Sequence, residues 1–322
     1  MLDIRRLQLL SEFAHRGTIA ATAAALGYTP SAVSQQLATL EREVGTQLLD
    51  RTARSAELTD AGRLLAAHAE QILAMVEAAE SVMAAQTGVA MGRVTVTAFP
   101  TAAVAFAPAL AQSLREHAGM QLVLRQSAAH GGRRQVAAGE VDMALVDDWS
   151  GHRPATTTGK LRFYPLLHEP MVLAVPAEHP LADPERPVEL RRLRDESWLA
   201  APHGEPSRTA TDRLLADVGG APAAAWEFEG PGTILNLVAR GVGIAVVPSL
   251  AVLSGPGGLA YRRLPHDAPI RDVYAVVRAT SVQRPAIRVT LEACYAAARD
   301  VQRTLDSVLG ERPLPPEPRG AA

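Results

Sequence analysis

Small hydroxyl and amide side chains are concentrated in one short stretch near the start of the chain. Ser31, Ser34 and Gln35 recur at the spacing of one helix face, directly after Thr29 and Pro30. Short hydroxyl and amide groups hydrogen-bond the edges of bases in a major groove, and their small size lets the helix backbone come close to those edges. The stretch therefore predicts a base-reading helix in a protein that binds double-stranded DNA.

The residues around this stretch supply the packing that such a helix needs. The Thr29 hydroxyl is placed to cap the helix, and Pro30 stands at its first position, where a missing N–H costs nothing. Upstream, Ala23 is small where two helices cross, and Gly27 allows the positive φ of a tight turn. Together these residues predict a helix-turn-helix, whose second helix buries the stripe Val33, Leu37, Leu40 and Val44.

A small hairpin, or wing, is expected from Leu48 to Leu58. Arg51 and Arg54 in this hairpin are predicted to reach backbone phosphates or a minor groove beside the recognition helix. The seven arginines of the region, including these two, are equalled in number by seven carboxylates, so attraction to DNA must come from the placement of charge and not from net charge.

A helix without internal proline is predicted from Thr59 to about Gln86. Its heptad-like seam needs a partner helix, most simply a second copy of the chain, and consists of Leu65, His68, Ile72, Met75, Ala79, Val82 and Gln86. A twofold dimer also suits DNA sites that consist of two half-sites, so a homodimer or homotetramer binding promoter half-sites is expected.

After Gly88 the pattern changes to strands that alternate with helices, which is typical of parallel βαβ units. The predicted strands include Val94 to Ala98, Leu161 to Leu167, Met171 to Val175 and Val273 to Val277. We expect two open α/β lobes joined by strand crossings, with the last helix running from Pro285 to about Leu305.

The segment from Leu7 to Gly62 resembles the winged helix-turn-helix of LysR-type transcriptional regulators. The positions that match are Phe13, Gly17, Ala23, Ala24, Leu26, Ala32, Val33, Ser34, Leu37, Leu40, Glu41, Gly45, Leu48, Arg51, Arg54, Leu58, Thr59 and Gly62. The chain departs from the family where Thr29, Pro30 and Ser31 replace Ser-Gln-Pro, and where Leu49 replaces phenylalanine. The resemblance implies a small-molecule-responsive regulator, often a dimer of dimers, with a two-lobed effector domain like a type 2 periplasmic-binding protein.

These observations divide the chain into four parts. The expected fold is an N-terminal all-α winged helix-turn-helix (1–58), a long linker and dimerisation helix (59–87), and a C-terminal α/β two-lobed effector domain (92–305). Lobe I is expected to comprise 92–165 and 266–305, and lobe II 166–265; the Pro-rich tail, 306–322, is expected to be disordered.

Ligands of open α/β sheets bind beyond the carboxyl ends of the strands, near the free N–H groups of helix N-termini. This rule predicts an effector cleft between the lobes, with Thr101 and Thr233 as anchors for a small anion or polar group, although both are equally consistent with ordinary helix caps. Asp147, Asp148 and Trp149 follow the third strand and are further candidates. The full predicted set is Phe99, Pro100, Thr101, Ser127, Ala128, Pro202, His203, Gly204, Gly232 and Thr233.

Two other classes compete with this interpretation, an enzyme that uses the α/β lobes and a solute-binding protein. Val246 stands where the third glycine of a dinucleotide motif beginning at Gly241 belongs, and no Gly-x-Ser-x-Gly elbow or clustered histidine spacing is present. We therefore expect no catalysis, cofactor or metal. A single cysteine, Cys294, and an N-terminus unlike a signal peptide favour a cytoplasmic protein over a secreted binding protein, without a membrane span.

Overall fold

The computed structural model describes residues 2–51, 56–87, 90–127, 131–151, 156–220, 226–265 and 268–310. Two predicted site residues, Arg54 and Ala128, lie outside the described residues, as does the part of the predicted tail from 311 to 322. The predicted tail begins too early, because the last helix continues to Leu309.

The N-terminal head consists of three helices and a hairpin: α1 (Ile4–Arg16), α2 (Ile19–Leu26), α3 (Pro30–Val44), β1 (Leu49–Arg51) and β2 (Ala56–Leu58). Phe13, Val33, Leu37 and Leu40 are buried in one core between the helices. Val44 was expected in this buried stripe and is exposed, because α3 ends there and Gly45 turns the chain away in the left-handed conformation.

The linker helix α4 (Asp60–Thr87) has two different environments along its length. Its first half packs against the head through buried Ala66 and Ala69 and half-buried Leu65 and Ile72. The predicted continuous seam is therefore wrong in that half, since Leu65 and Ile72 meet the same chain. His68, Met75 and Ala79 are exposed, and the side chains of Val82 and Gln86 lie outside the described part.

The first part of the α/β region is a parallel sheet covered by helices. It contains β3 (Gly92–Ala98), α5 (Pro100–Glu116), β4 (Met120–Gln126), α6 (Gly132–Ala137) and β5 (Met143–Asp148). β3 lies between β4 and β5 and is parallel to both. The carboxyl ends of these three strands consequently meet at one edge, as the sequence predicted.

A single long strand then connects the two lobes. After β6 (Thr157–Thr158), β7 runs without interruption from Leu161 to Pro176, where two strands were expected. The rest comprises β8 (Leu199–Ala200), α7 (Pro206–Leu215), β9 (Trp226–Glu227), α8 (Pro231–Ala239), β10 (Ala245–Pro248), β11 (Leu259–Arg263), β12 (Ile270–Arg278) and α9 (Pro285–Leu309). β7 pairs with β12 as far as Pro170, and from Met171 onward with β10 and β11. Pro170 is accommodated because it lies where the strand changes partners.

The main sheet has the strand order β10-β7-β12-β5-β3-β4 and is mixed. The expectation of parallel units is confirmed for β3, β4 and β5 and is wrong for β7, β10 and β12, whose pairings are antiparallel. β12 lies between β5 and β7 and is antiparallel to both, so β5 and β7 run in the same direction without being neighbours. In the described part of the chain no helix combines the length and apolar character needed to cross a bilayer.

Candidate functional sites

The start of α3 is fixed by local hydrogen bonding and by turn geometry. The Thr29 hydroxyl accepts a hydrogen bond from the Ala32 N–H at 3.2 Å, and Pro30 occupies the first helical position. Gly27 closes α2 with a φ of 71°, which a residue with a side chain adopts at a cost. The turn that orients α3 therefore forms as its sequence predicts.

The outer face of α3 points away from the core of the head. Thr29, Pro30, Ser31 and Gln35 are exposed, and Ser34 is half-buried. On the opposite side Val33, Leu37 and Leu40 are fully buried, so the helix cannot rotate to hide its polar face. All five predicted DNA-contacting residues at the start of α3 are thus at least partly accessible to solvent, with Ser34 the least exposed.

The wing is anchored to α3 by Glu41, a position that matches the family pattern but whose role the sequence did not indicate. Glu41 accepts hydrogen bonds from the backbone N–H groups of Leu48 and Leu49, each at 2.9 Å. β1 and β2 then pair in antiparallel register, with Leu49 opposite Leu58 and Arg51 opposite Ala56. The backbone of Arg51 is thereby placed at the end of β1. The side chain of Arg51 and all of Arg54 lie outside the described part of the chain.

A cavity of about 850 Å³ lies between the two lobes, beyond the carboxyl ends of β3, β4 and β5. Phe99, Pro100, Thr101 and Ser127 line it from lobe I, where the sequence predicted them. Asp147, Asp148 and Trp149 complete this wall. A volume of this size suits a small metabolite.

The lobe II wall is offset from the predicted residues by one or two positions. Pro202, His203, Gly204, Gly232 and Thr233 do not line the cavity, whereas Ala201, Glu205, Pro206, Ser207, Gly230 and Pro231 do. His203 instead lies 3.1 Å from Glu227, and Thr233 is exposed. The offset arises because α7 and α8 begin at Pro206 and Pro231, so that the turn before each proline faces the cleft.

Arg271 forms the floor of the cavity and was not anticipated from the sequence. Its guanidinium is buried and forms an ion pair with Glu169, whose Oε1 meets both Nε and Nη2 of the arginine across the β12–β7 ladder. It also donates to the Thr101 hydroxyl at 3.1 Å and lies 3.7 Å from the Asp147 carboxylate. Because Glu169 and Arg271 are about a hundred positions apart in the sequence, only the strand register brings them together.

Aromatic rings enclose the same guanidinium. The Arg271 Cζ lies 4.7 Å from the centroid of Phe99 and 5.4 Å from that of Trp149, within the range of cation–π contacts. The Trp149 indole N–H donates to Asp147 at 2.9 Å. Arg271 therefore orders three of the residues that line the lobe I wall.

The carboxyl groups of the cleft differ in their protonation energetics. Burial raises the pKa of Glu169, although the Arg271 guanidinium and hydrogen bonds from Leu250 and Ser249 oppose this effect. Partial burial also acts to raise the pKa of Asp148, but hydrogen bonds from Ser150 and Arg133 outweigh it and lower that pKa below its usual value. Among the described residues no group of acidic, histidine or cysteine side chains forms a metal site.

Cys294 lies in the core of the first lobe, on α9. Burial raises the pKa of its thiol to about 12, so the group stays protonated near neutrality.

Comparison with protein families assigns both halves of the chain. Residues 4–63 match the bacterial regulatory helix-turn-helix protein model of the lysR family, and residues 87–299 match the LysR substrate binding domain. The chain belongs to the LysR family of transcriptional regulators. It is accordingly a DNA-binding regulator with a small-molecule effector domain. The family match favours this function over an enzyme or a solute-binding protein.

Individual relatives of this LysR-type regulator are also regulators of gene expression. The hydrogen peroxide-inducible genes activator of Dickeya chrysanthemi is 30% identical over 78% of this chain and 80% of its own length. The transcriptional regulator TtuA of Agrobacterium vitis is 30% identical over 74% of this chain and 82% of its own.

Solved structures share the fold of the whole regulator. A full-length OxyR variant from Pseudomonas aeruginosa superposes with a TM-score of 0.69 at 23% identity, covering 93% of this chain and 97% of that one. Full-length CbnR in complex with its target DNA gives a TM-score of 0.51 at 22% identity, covering 92% and 100%.

Proposed function

We propose that this regulator reads promoter DNA with the exposed face of α3 and with the arginines of the wing. The residues assigned to DNA are Thr29, Pro30, Ser31, Ser34, Gln35, Arg51 and Arg54. The observation that carries the assignment is the contrast across α3, where Val33, Leu37 and Leu40 are fully buried and Ser31 and Gln35 are exposed. A helix with that contrast presents short donors and acceptors to base edges.

Two copies of the reading head are proposed to act together through α4. Leu64, Met75 and Met83 are 63%, 65% and 58% exposed, which is unusual for three large apolar residues of one helix. Their spacings of 11 and 8 residues place them on one face of the helix, within an arc of about 100°. A second α4 packed on this face, in a homodimer or a homotetramer, would cover them and pair the two heads.

The effector is proposed to bind non-covalently in the interlobe cavity, touching Phe99, Pro100, Thr101 and Ser127. Oxidation by peroxide requires an accessible thiolate, whereas Cys294 is buried and its thiol pKa is raised to about 12. Because Cys294 is the single cysteine of the 322 residues, no disulfide can form within the chain. A peroxide response like that in the relative's name is therefore not assigned to this protein.

Three further expectations are part of the same proposal. The division into head, linker helix and two-lobed domain is supported by the helix α4 between the head and the two lobes, with the last lobe helix extended to Leu309. Cytoplasmic action is supported by the use of one buried cysteine, which suits a reducing compartment. A role without catalysis is supported by the regulatory function of the relatives.

The experiment is genomic footprinting with the purified protein, followed by competition between a recovered operator fragment and random duplex. Replacing Ser34→Ala together with Gln35→Ala is expected to reduce the preference for operator by at least about tenfold, since a lost base contact weakens discrimination by ~1 to 3 kcal/mol. Gln8→Ala, an exposed glutamine on α1, is the matched control. An unchanged preference in the double variant would refute the assigned reading face.

A further inference from the structure

The short helix α6 connects the cleft with the reading head. Gly132 and Arg133, at its start, line the cavity. Glu140, three residues beyond its end, faces Arg16 of α1, with the Arg16 Nη2 and Glu140 Oε1 atoms 3.5 Å apart. One element therefore has an effector-facing end and a head-facing end.

The cleft end of α6 is held by specific contacts. Arg133 donates to the Asp148 carboxylate at 2.9 Å, and its guanidinium lies 5.3 Å from the centroid of Phe163. A Cβ on Gly132 would lie 3.0 Å from the Ala144 methyl carbon, so the helix is packed closely on the sheet. A ligand that competes for Arg133 or Asp148 acts directly on this helix.

The head-facing end cannot move independently of the helix. Val136 is fully buried, and Arg278 donates to the carbonyls of Val136 at 3.0 Å and Val141 at 2.9 Å. The Glu140 N–H donates to the Gln135 carbonyl at 2.9 Å. These bonds tie Glu140 to the body of α6, so a displacement at one end is carried to the other.

A second contact joins the same two parts of the chain. The Lys160 ammonium lies 2.8 Å from the Glu70 carboxylate of α4, and the other Glu70 oxygen lies 3.5 Å from the Nε2 atom of His15. Together with Arg16 and Glu140, these partly exposed pairs hold the head and the start of α4 against lobe I. Ion pairs that solvent reaches are individually weak, which suits a contact that must rearrange.

We propose that α6 is the relay between the effector cleft and the DNA-reading head, and that the Arg16–Glu140 ion pair is its output. Ligand contact at Arg133 and Asp148 shifts α6, changes the Arg16–Glu140 contact and reorients α1 with the recognition helix attached to it. This relay rests on the proposed effector cleft and adds the structural element that carries the coupling.

A double-mutant cycle tests the relay without knowledge of the effector. Asp148→Asn weakens the cleft end and Glu140→Gln the head end, and Kd for the footprinted operator fragment is measured for each variant and for both together. The combined change in Kd is expected to differ at least about threefold from the product of the single changes. Glu178→Gln, an exposed lobe II carboxylate, is the matched control and is expected to leave Kd unchanged. A combined change in Kd that lies within about 1.5-fold of the product of the single changes would overturn the relay.

A charge swap tests the output contact, with Arg16→Glu alone measured to account for the loss of the Arg16–Glu12 ion pair within α1. Glu140→Arg places two arginines together and is expected to alter operator Kd, and the further change Arg16→Glu is expected to restore most of it. Because residue 140 lies on lobe I, away from α3, the restoration reports contact between head and lobe. Thermal unfolding of each variant identifies any that fails to fold, and loss of affinity that the swap does not restore in folded protein contradicts the proposal.

Cross-linking separates failure of the relay from failure of DNA recognition. The pair Arg16→Cys and Glu140→Cys is treated with a short bis-maleimide, while buried Cys294 gives little background. An intrachain cross-link is expected, with a lower yield when Asp148→Asn is added. A protein that cross-links as expected yet binds no duplex retains the relay and refutes the reading face. Absence of the cross-link, or a yield that Asp148→Asn leaves unchanged, refutes the relay.

Discussion

Removing the charge of Glu169 isolates the energetic role of the buried pair beneath the cleft. In Glu169→Gln the Arg271 guanidinium keeps its Thr101 hydrogen bond and the Asp147 carboxylate 3.7 Å away, but loses the negative charge of its closest partner. Stranding a buried charge costs about 3 to 5 kcal/mol, and the nearby Asp147 places the expected cost at the lower end, ~3 kcal/mol. At roughly 2 to 4 °C per kcal/mol for a unit of this size, the melting temperature should fall by about 6 to 12 °C.

The partner variant Arg271→Met should behave differently with pH. Arginine cannot discharge, whereas a carboxyl can take up a proton, so Glu169 in this variant becomes neutral and the loss is smaller. The pKa of Glu169 in the folded variant then lies above the ordinary value of 4.5. Between 4.5 and that raised pKa, the folded protein keeps a proton that the unfolded chain releases. Stability of Arg271→Met is consequently expected to be greatest near pH 5 and to decline as the pH rises.

Urea unfolding of the parent, both single variants and the double variant at pH 5 and pH 8 completes the cycle. The double variant should lose at least about 2 kcal/mol less than the sum of the single losses, because neither charge is left alone. Single losses that add within ~0.5 kcal/mol would refute the argument that the two charges depend on each other.

Three other outcomes follow from the described contacts. Thr29→Ala removes the hydroxyl that accepts the Ala32 N–H at 3.2 Å, so the head should lose about 1 kcal/mol of stability, visible as faster hydrogen exchange at the start of α3; no change would contradict the cap. Met75→Glu places a charge on the exposed apolar face of α4, and sedimentation should show a shift toward monomer, whereas Glu178→Gln should not; an unaltered distribution excludes this face from the contact. The Cys294 thiol should react with maleimide at neutral pH only after urea unfolding, because burial raises its pKa to about 12; rapid labelling of folded protein would count against that environment.

Local patterns in the sequence predicted the head well. The cap at Thr29, the turn at Gly27 and the buried side of α3 depend on residues within a few positions of one another, so propensity and periodicity are sufficient to find them. Val44 was misplaced because periodicity does not report where the core ends. The seam of α4 was misread for a related reason, since a stripe of apolar residues does not reveal whether its partner is the same chain or another.

The cleft was located by a general rule, but its chemistry depends on pairing that the sequence does not display. Thr101 follows a predicted strand and was found, whereas Arg271 and Glu169 meet only because β12 and β7 are in register. The sequence predicted two strands around Pro170, whereas the structure has one. Proline interrupts the sequence pattern, but pairing with β12 before Pro170 and with β10 and β11 after it keeps the strand continuous. Offsets of one or two residues at α7 and α8 decide which side chains line the cavity, and propensity does not resolve them.

The continuity of β7 constrains how ligand preference can diversify among proteins with this architecture. Because β7 supplies both lobes and β12 returns beside it, excising either lobe would uncover the edge of a strand in what remains. Modular exchange of one lobe between relatives is therefore disfavoured. Under the proposed mode of effector binding, new selectivity is more readily acquired by changing the short segments before Pro206 and Pro231, or by transplanting the entire two-lobed unit behind a different head.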